Sequence, residues 1–146
     1  MSDREKKVKA VQSFYSSVQD AKTLEMEDFQ EHINQFVDAN WVSTPNAHPE
    51  GKIGYPALSE LLKGFVTIIP DLQWDIEQTW VDGDTVICKC KATGTPKGNF
   101  LGVETDGTKS FDIMSIDVHK VNDEGKMIES YHVEEWLKAV QQISPN

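Results

Sequence analysis

The chain has 146 residues, a formal net charge of -10 at pH 7 and a sequence pI near 4.7. This length matches one domain, so we expect a single domain over residues 1–146. The acidic balance argues against nucleic acid as a partner, because phosphate binding depends on clustered Lys and Arg side chains.

Two further features bear on where the protein works. The N-terminus has no apolar stretch of signal-peptide length, and no apolar run approaches the roughly 20 residues that span a bilayer. Cys88 and Cys90 lie two apart on a predicted strand, which suits packing better than a disulfide or a zinc site. We therefore expect a cytoplasmic protein with no membrane partner and no metal site.

The first half of the chain has the periodicity of helices. Residues 3–20 carry apolar side chains three and four positions apart, and residues 24–37 resume this pattern after a short break. Residues 44–54 are rich in Pro, Gly and Asn, which indicates a loop. A third amphipathic helix is predicted over residues 55–69, with Pro56 tolerated in its first turn.

The second half changes to a period of two. Residues 72–76 and 86–92 alternate on either side of one turn, and residues 110–120 and 125–136 alternate around another. A glycine-rich loop separates the two hairpins. Helices followed by hairpin-linked strands predict an α+β domain, in which three N-terminal helices pack on one face of a curved antiparallel sheet.

The last hairpin carries the predicted catalytic pair. A four-residue loop at residues 122–125 places Asp112 opposite Glu135, at the end of an apolar face. We prefer this register to one shifted by a single residue, because that shift sets Met114 against Glu134. Two carboxylates close together in a partly dry place cannot both ionise cheaply, so the pKa of one rises. Asp112 and Glu135 are thus the predicted catalytic residues, with solvated residues at a strand end as the alternative.

A series of short motifs follows in a characteristic order and spacing. They are Pro70-Asp71-Leu72, Asp82-Gly83-Asp84, Gly94-Thr95, Gly98, Phe100, Gly102, Thr105-Asp106-Gly107-Thr108-Lys109, Ile116, Val118 and Gly125-Lys126-Met127-Ile128-Glu129. In combination they resemble the SnoaL-like polyketide cyclase (ester cyclase) branch of the NTF2-like superfamily, over about residues 8–143.

The resemblance implies a cone-shaped α+β fold. Three helices partly close over a strongly bent, mixed, mainly antiparallel sheet around an apolar cavity, often in a homodimer through the outer surface of the sheet. It also implies acid-base catalysis of an intramolecular aldol cyclisation, without metal or cofactor, by an acidic residue of the last strand. In this chain Glu129 and Tyr131 take the places of the family's Glu and Trp, and Glu135 takes that of its catalytic acid.

Aromatic side chains supply further ligand-binding candidates. Tyr131 shares a predicted face with Glu135 and offers a phenol to a ligand oxygen, although a core role is the alternative. Several indoles in one small domain suit a cavity for a flat apolar ligand as well as ordinary packing. Of these, Trp41 and Trp80 are retained as predicted ligand-binding residues.

Two histidines complete the candidates. His119 lies two residues from Asp117, and a neutral imidazole near a carboxylate suits proton transfer. The preferred register nevertheless places His119 on the opposite face, towards solvent or an interface. His48 lies in the loop before the third helix, where related folds have the cavity rim.

Two hypotheses about function remain open at this point. The first is a cofactor-independent enzyme that acts by acid-base chemistry on a small hydrophobic carbonyl compound, as a cyclase, isomerase or dehydratase. The second is a non-catalytic ligand-binding or dimerisation module, because one fold hosts many functions. Both predict a small hydrophobic molecule as partner and a homodimer.

Overall fold

The computed structural model describes residues 1–45 and 53–145. The helices within these residues are α1 (Asp3–Thr23), α2 (Met26–Ile33), α3 (Tyr55–Ile68) and α4 (Trp136–Ile143). The strands are β1 (Val37–Pro45), β2 (Ile53–Gly54), β3 (Gln73–Asp82), β4 (Thr85–Gly94), β5 (Lys97–Phe100), β6 (Val103–Asp106), β7 (Phe111–Val121) and β8 (Met127–Glu134). No helix in this part of the chain has the length and apolar character needed to cross a bilayer.

Helix α1 follows directly from the sequence pattern. The Ser2 hydroxyl caps its first turn by accepting a hydrogen bond from the Glu5 backbone N–H at 3.1 Å. The apolar stripe buries Val11, Tyr15 and Val18, and the helix lies against the sheet. The helix predicted over residues 3–20 is confirmed and continues to Thr23.

Helix α2 is shorter than its apolar pattern indicates. It ends at Ile33, and the chain enters β1 at Val37, within the stretch predicted to be helical. The reason is long-range pairing: the Met127 N–H donates to the Phe36 carbonyl at 2.8 Å, and β1 runs parallel to β8. Sheet pairing therefore overrules a local helical preference. It also brings Trp41 of β1 into the core, where it is buried.

The main sheet has the strand order β2-β1-β8-β7-β4-β3. Every neighbouring pair is antiparallel except β1 with β8, so the sheet is mixed and mainly antiparallel, as predicted. Irregularities in β3 and β8 interrupt the ladder, and such bulges bend a strand. Strands β5 and β6 form a separate two-stranded sheet. The predicted α+β class with a curved sheet is confirmed.

The predicted number of helices needs correction. Helix α3 matches the expected third helix, but residues 136–143 form a fourth helix that the sequence pattern did not predict. Helix α4 buries Ala139 and Ile143 and lies against β7. Its eight residues present one short apolar stripe, and the two glutamates before it have the appearance of a polar strand end.

The register of the last hairpin differs from the predicted one. Val121 pairs with Met127, one residue later than predicted, and a bulge at Ile128 shifts the rest of β8 by one more residue. The predicted pairing of Asp112 with Glu135 is therefore wrong. A shift of two residues keeps the same side chains together on each face, because successive residues alternate between faces.

The two faces of β7 are the reverse of those predicted. The face with Met114, expected in the core, points outwards, and the opposite face is buried along the strand. The centre of that buried face is polar. It can be buried because side chains from α1, β3 and β8 form hydrogen bonds with it. The buried residues are Phe111, Ile113, Ser115, Asp117, His119 and Val121.

Candidate functional site

A cavity of about 320 Å³ lies between the helices and the inner face of the sheet. Its volume is at the small end of the range for ligand pockets, and such pockets are mainly apolar with a few polar groups. Helices α1 and α3 supply much of the apolar wall, and indoles from β1, β3 and α4 supply much of the rest. The apolar lining residues are Phe14, Val18, Trp41, Ile53, Leu58, Leu61, Leu62, Phe65, Leu72, Trp74 and Trp136.

Aromatic rings give one end of this cavity a flat wall. Trp136 stacks on Phe65 with ring centroids 6.5 Å apart and an angle of 9° between the planes. It also meets Trp74 edge to face at 6.1 Å. Such rings suit a planar apolar ligand.

The polar wall comes from the inner face of the last hairpin and from one helix. The register sets Asp117 opposite His132 and His119 opposite Ser130, and Tyr15 of α1 reaches this row from above the sheet. Period-two alternation places these side chains on one face of β7 and β8. Acidic and basic groups thus meet at one side of an otherwise apolar cavity.

A chain of hydrogen bonds runs along this wall and ends at Asp117. The Tyr15 hydroxyl donates to Asp117 Oδ2 at 2.6 Å. His119 Nε2 lies 2.7 Å from the same hydroxyl and donates to it, since the tyrosine has only one hydrogen to give. His119 Nδ1 then accepts from Ser130 Oγ at 2.7 Å, and Ser130 accepts from the Trp41 indole at 3.0 Å.

A second, shorter chain reaches the same oxygen. The Trp74 indole donates to Ser115 Oγ at 3.1 Å, and Ser115 donates to Asp117 Oδ2 at 3.1 Å. The other carboxylate oxygen of Asp117, Oδ1, has no hydrogen-bond partner among the described residues. Buried carboxylate oxygens normally have partners, so an unpartnered one beside a cavity marks a place for a ligand atom or a proton.

The surroundings of Asp117 favour its neutral form. The residue is only 4% exposed. Burial raises the pKa of Asp117 from 3.8 to about 6, the nearby charge of Glu134 adds to this, and the hydrogen bond from Tyr15 opposes it. A carboxyl group with this pKa is suited to move protons at neutral pH.

The other two ionisable residues of the hydrogen-bond chain, His119 and Tyr15, keep fixed protonation states. Burial, together with the charge of His132, lowers the pKa of His119 to about 3, so its imidazole stays neutral. Burial and the charge of Asp117 raise the pKa of Tyr15 well above 10.0, so its phenol stays protonated. Asp117 is therefore the member of this chain that changes its charge near pH 6.

His132 and Glu134 form a second ionisable pair on the same wall. His132 Nδ1 lies 2.5 Å from Glu134 Oε2, and the Trp136 indole donates to Glu134 Oε1 at 2.9 Å. Burial lowers the pKa of His132, but the hydrogen bond and charge of Glu134, with the charge of Asp117, outweigh it and raise this pKa above 6.5. The cavity thus contains a weak carboxylic acid and an imidazole that favours its charged form.

Two of the predicted site residues line this cavity. Trp41 does so as expected. His119 also lines it, although the predicted register placed it on the outer face, because the interior face of β7 is the opposite of the one predicted. His48 lies outside the described residues.

The predicted catalytic pair does not line the cavity. Glu135 accepts a hydrogen bond from the Met114 N–H at 2.9 Å, and its side chain is 41% exposed. Asp112 is exposed on the outer face of β7, 3.3 Å from Lys91. The two carboxylates therefore have different partners, and neither is among the cavity's lining residues.

The remaining two candidates are on the surface. Tyr131 is exposed, and its hydroxyl donates to Glu129. Trp80 of β3 is exposed as well. Both belong to the outer side of the sheet, whereas the predicted ligand-binding role needs the inner side.

Sequence reasoning missed six polar residues that line the cavity. One signal for them was present in the alternation of Ser115, Asp117 and His119 along one strand, a polar row flanked by apolar residues of the same face. The missed residues are Tyr15, Ser43, Asp117, Ser130, His132 and Glu134. Within residues 1–45 and 53–145, no group of three or more His, Cys, Asp or Glu side chains is arranged to hold a metal ion.

Solved structures resemble this chain over nearly its whole length. A candidate SnoaL-like polyketide cyclase from Jannaschia sp. CCS1 is 20% identical, with a TM-score of 0.80 over 97% of this chain and 94% of that one. TsrD from Streptomyces laurentii is 16% identical, with a TM-score of 0.78 over 97% of both chains. A candidate polyketide cyclase from Bacillus cereus ATCC 10987 is 30% identical, with a TM-score of 0.69 over 94% of this chain and 79% of that one.

The family assignment follows from the sequence as well as from the fold. No curated protein sequence matches the chain. A sequence model of the family described as SnoaL-like polyketide cyclase matches residues 9–143. With that match and the shared NTF2-like architecture, the chain belongs to the SnoaL-like polyketide cyclase family.

Proposed function

We propose that the protein binds a flat, hydrophobic, carbonyl-bearing small molecule in the cavity and that Asp117 transfers protons to and from it. The observation that carries this proposal is a buried carboxyl group with a raised pKa and an unpartnered oxygen, beside an apolar cavity. The reaction class is a cofactor-independent cyclisation, isomerisation or dehydration.

The lining of the cavity supports this class of ligand. Its apolar and aromatic walls match a planar apolar body, and the polar groups lie together on the inner face of the last hairpin. A ligand with an apolar body and an oxygen function at one end satisfies both parts. Compounds that are charged throughout would leave the aromatic walls without favourable contacts.

The proton-transfer step follows from the hydrogen bonds of Asp117. Tyr15 and Ser115 both donate to Oδ2, which leaves Oδ1 to take a proton from the carbon next to a ligand carbonyl. The C–H electron pair moves into a C=C bond, and the carbonyl oxygen becomes an enolate. In a cyclisation that carbon then forms a C–C bond to a second carbonyl, and Asp117 returns the proton to the new alkoxide.

The test uses hydrogen exchange in 2-tetralone, a two-ring ketone with acidic hydrogens beside its carbonyl. In D₂O, proton NMR follows their replacement by deuterium. We expect the wild-type protein to accelerate this exchange and Asp117→Asn to lose at least about 100-fold of the acceleration, because general acid-base catalysis supplies about 10²–10⁴-fold.

Two matched variants decide between this carboxylate and those singled out by the sequence pattern. Asp112→Asn removes a carboxylate from the other face of the same strand, and Glu135→Gln removes the one at the start of α4. The exchange rate of both variants should stay within about twofold of the wild-type rate, since surface substitutions have small effects. Loss of exchange in either one, with normal exchange in Asp117→Asn, would transfer the catalytic role to that residue.

A dimerisation role is the second candidate function, supported by the outer face of the sheet. Large apolar side chains are exposed there, and such patches mark interaction sites. We expect a homodimer through this face, with Val133→Glu shifting the mass in light scattering towards the 16.5 kDa monomer. Leu137→Glu is the matched control, because Leu137 is 74% exposed on α4 rather than on the sheet. Exposed apolar residues of this face include Trp80, Met114, Tyr131 and Val133.

A further inference from the structure

We infer that His132 is a second catalytic residue, whose Nε2–H donates to the carbonyl oxygen of the ligand on which Asp117 acts, and that Glu134 positions its ring. This inference rests on the proposed function, because it concerns the other end of the same proton transfer. It adds a separate group that stabilises the enolate oxygen while Asp117 removes the proton from the carbon.

The geometry of the ring leaves one nitrogen available. Nδ1 faces the Glu134 carboxylate, with 2.5 Å to Oε2 and 2.9 Å to Oε1. Among the described residues, Nε2 has no hydrogen-bond partner. His132 lines the cavity, so a molecule in the cavity can take this remaining donor.

Glu134 is held so that it can orient the ring. Its side chain is only 8% exposed, and the Trp136 indole donates to its Oε1 at 2.9 Å. A carboxylate fixed in this way determines which imidazole nitrogen faces it and stabilises the charged ring. Glu134 therefore acts through His132 and is a positioning residue.

His132 and Asp117 are in position to act on one carbonyl group. They are direct partners across β7 and β8, and the side chains of facing residues lie about 5 Å apart at Cβ. A carbonyl oxygen and the carbon next to its carbon are separated by only two bonds, so both residues reach the same small unit. As Asp117 removes the proton, the electron pair moves to the oxygen, and the Nε2–H of the imidazolium stabilises the enolate.

The charges around His132 favour this role. Its titratable neighbours on the cavity wall are the carboxyl groups of Glu134 and Asp117, the neutral ring of His119 and the phenol of Tyr15. The side chains that α3 and β1 turn towards the cavity carry no charge. Those side chains are Leu58, Leu61, Leu62 and Phe65 of α3 and Trp41 and Ser43 of β1.

The experiment compares two ligands that differ only in the oxygen. Quenching of tryptophan fluorescence measures the binding of 2-tetralone and of tetralin, which has the same rings without a carbonyl. We expect His132→Gln to weaken 2-tetralone binding about tenfold or more and to leave tetralin binding nearly unchanged, because a hydrogen bond from a charged donor contributes about 1.5–3 kcal/mol.

The chain offers a matched control in His32. This residue also pairs with a carboxylate, since its Nε2 lies 3.0 Å from Asp20, but it is outside the cavity. His32→Gln should keep the wild-type preference for 2-tetralone over tetralin. If His132→Gln keeps that preference too, the inference is overturned and the proposed function stands. If the wild-type protein binds neither compound, both are overturned.

A second variant tests the positioning role without removing the imidazole. Glu134→Gln keeps an acceptor for Trp136 but removes the negative charge beside the ring. NMR should show a lower pKa of His132 in this variant, and the exchange of 2-tetralone should lose kcat with little change in KM. An unchanged pKa of His132 or an unchanged kcat would overturn the role of Glu134.

Discussion

Replacing Asp117 by Asn measures how much the ionised carboxylate beside the cavity lowers the stability of the protein. Burial raises the pKa of Asp117 from 3.8 to about 6, and one pKa unit corresponds to about 1.4 kcal/mol. A rise of roughly two units therefore destabilises the ionised native state by about 3 kcal/mol at most. Asp117 is nearly fully buried, so solvent screening does not reduce this figure.

The pH dependence has a definite sign. The native state binds the Asp117 proton more tightly than the unfolded chain does, so stability falls as the pH rises between about 4 and 6. The unfavourable contribution is absent below pH 3.8 and fully present above pH 6. Asn cannot ionise, so the variant lacks this loss. The free energy of unfolding of Asp117→Asn relative to that of wild type should therefore increase by up to about 3 kcal/mol between pH 4 and pH 7.5.

Urea unfolding followed by tryptophan fluorescence measures this shift. Comparing two pH values cancels any pH-independent effect of the amide, including an N–H left without a partner. Asp112→Asn, on the exposed face of the same strand, is the control. Equal ΔΔG values at both pH values would refute the account of Asp117.

Three other predictions concern the pH profile and the packing. The rate of 2-tetralone exchange should rise with pH through about 6, as Asp117 ionises, and fall above the raised pKa of His132; a flat profile would contradict both assignments. Ser130→Ala should lower the free energy of unfolding by about 1–3 kcal/mol, because the buried side chains of Trp41 and His119 lose the hydroxyl they bond to. An unchanged urea midpoint would contradict a stabilising role for these hydrogen bonds. Gly94→Ala should lower the melting temperature, because its Cβ would lie 2.3 Å from Ile69 Cγ2; overpacking a core typically costs about 1–3 kcal/mol.

Local patterns in the sequence predicted many of the elements. Helices α1 and α3 follow from apolar side chains at helical spacing with few competing signals. The hairpin of β3 and β4 follows from alternation around the Asp82 to Asp84 turn. The order of short motifs also predicted the family, which the sequence match over residues 9–143 confirms.

Long-range pairing decided what these patterns left open. The stretch from Val37 onwards has helical spacing but becomes a strand, because β8 offers it a parallel partner. The bulge at Ile128 changes the hairpin register by one residue and leaves no clear mark in the sequence. With the register of the turn, this bulge made the predicted partner of Asp112 wrong. Glu135 is the N-cap of α4 instead of the end of a strand.

The sequence by itself determined which side chains of β7 lie together, because alternation in a strand has a period of two. It did not determine which of the two faces is inside, since one carries Met114 and Ile116 and the other carries Ser115 and Asp117. Only the tertiary structure decided this. A row of polar side chains can be buried when other elements supply hydrogen bonds. Here the Tyr15 hydroxyl of α1, the Trp74 indole of β3 and the Ser130 hydroxyl of β8 do so.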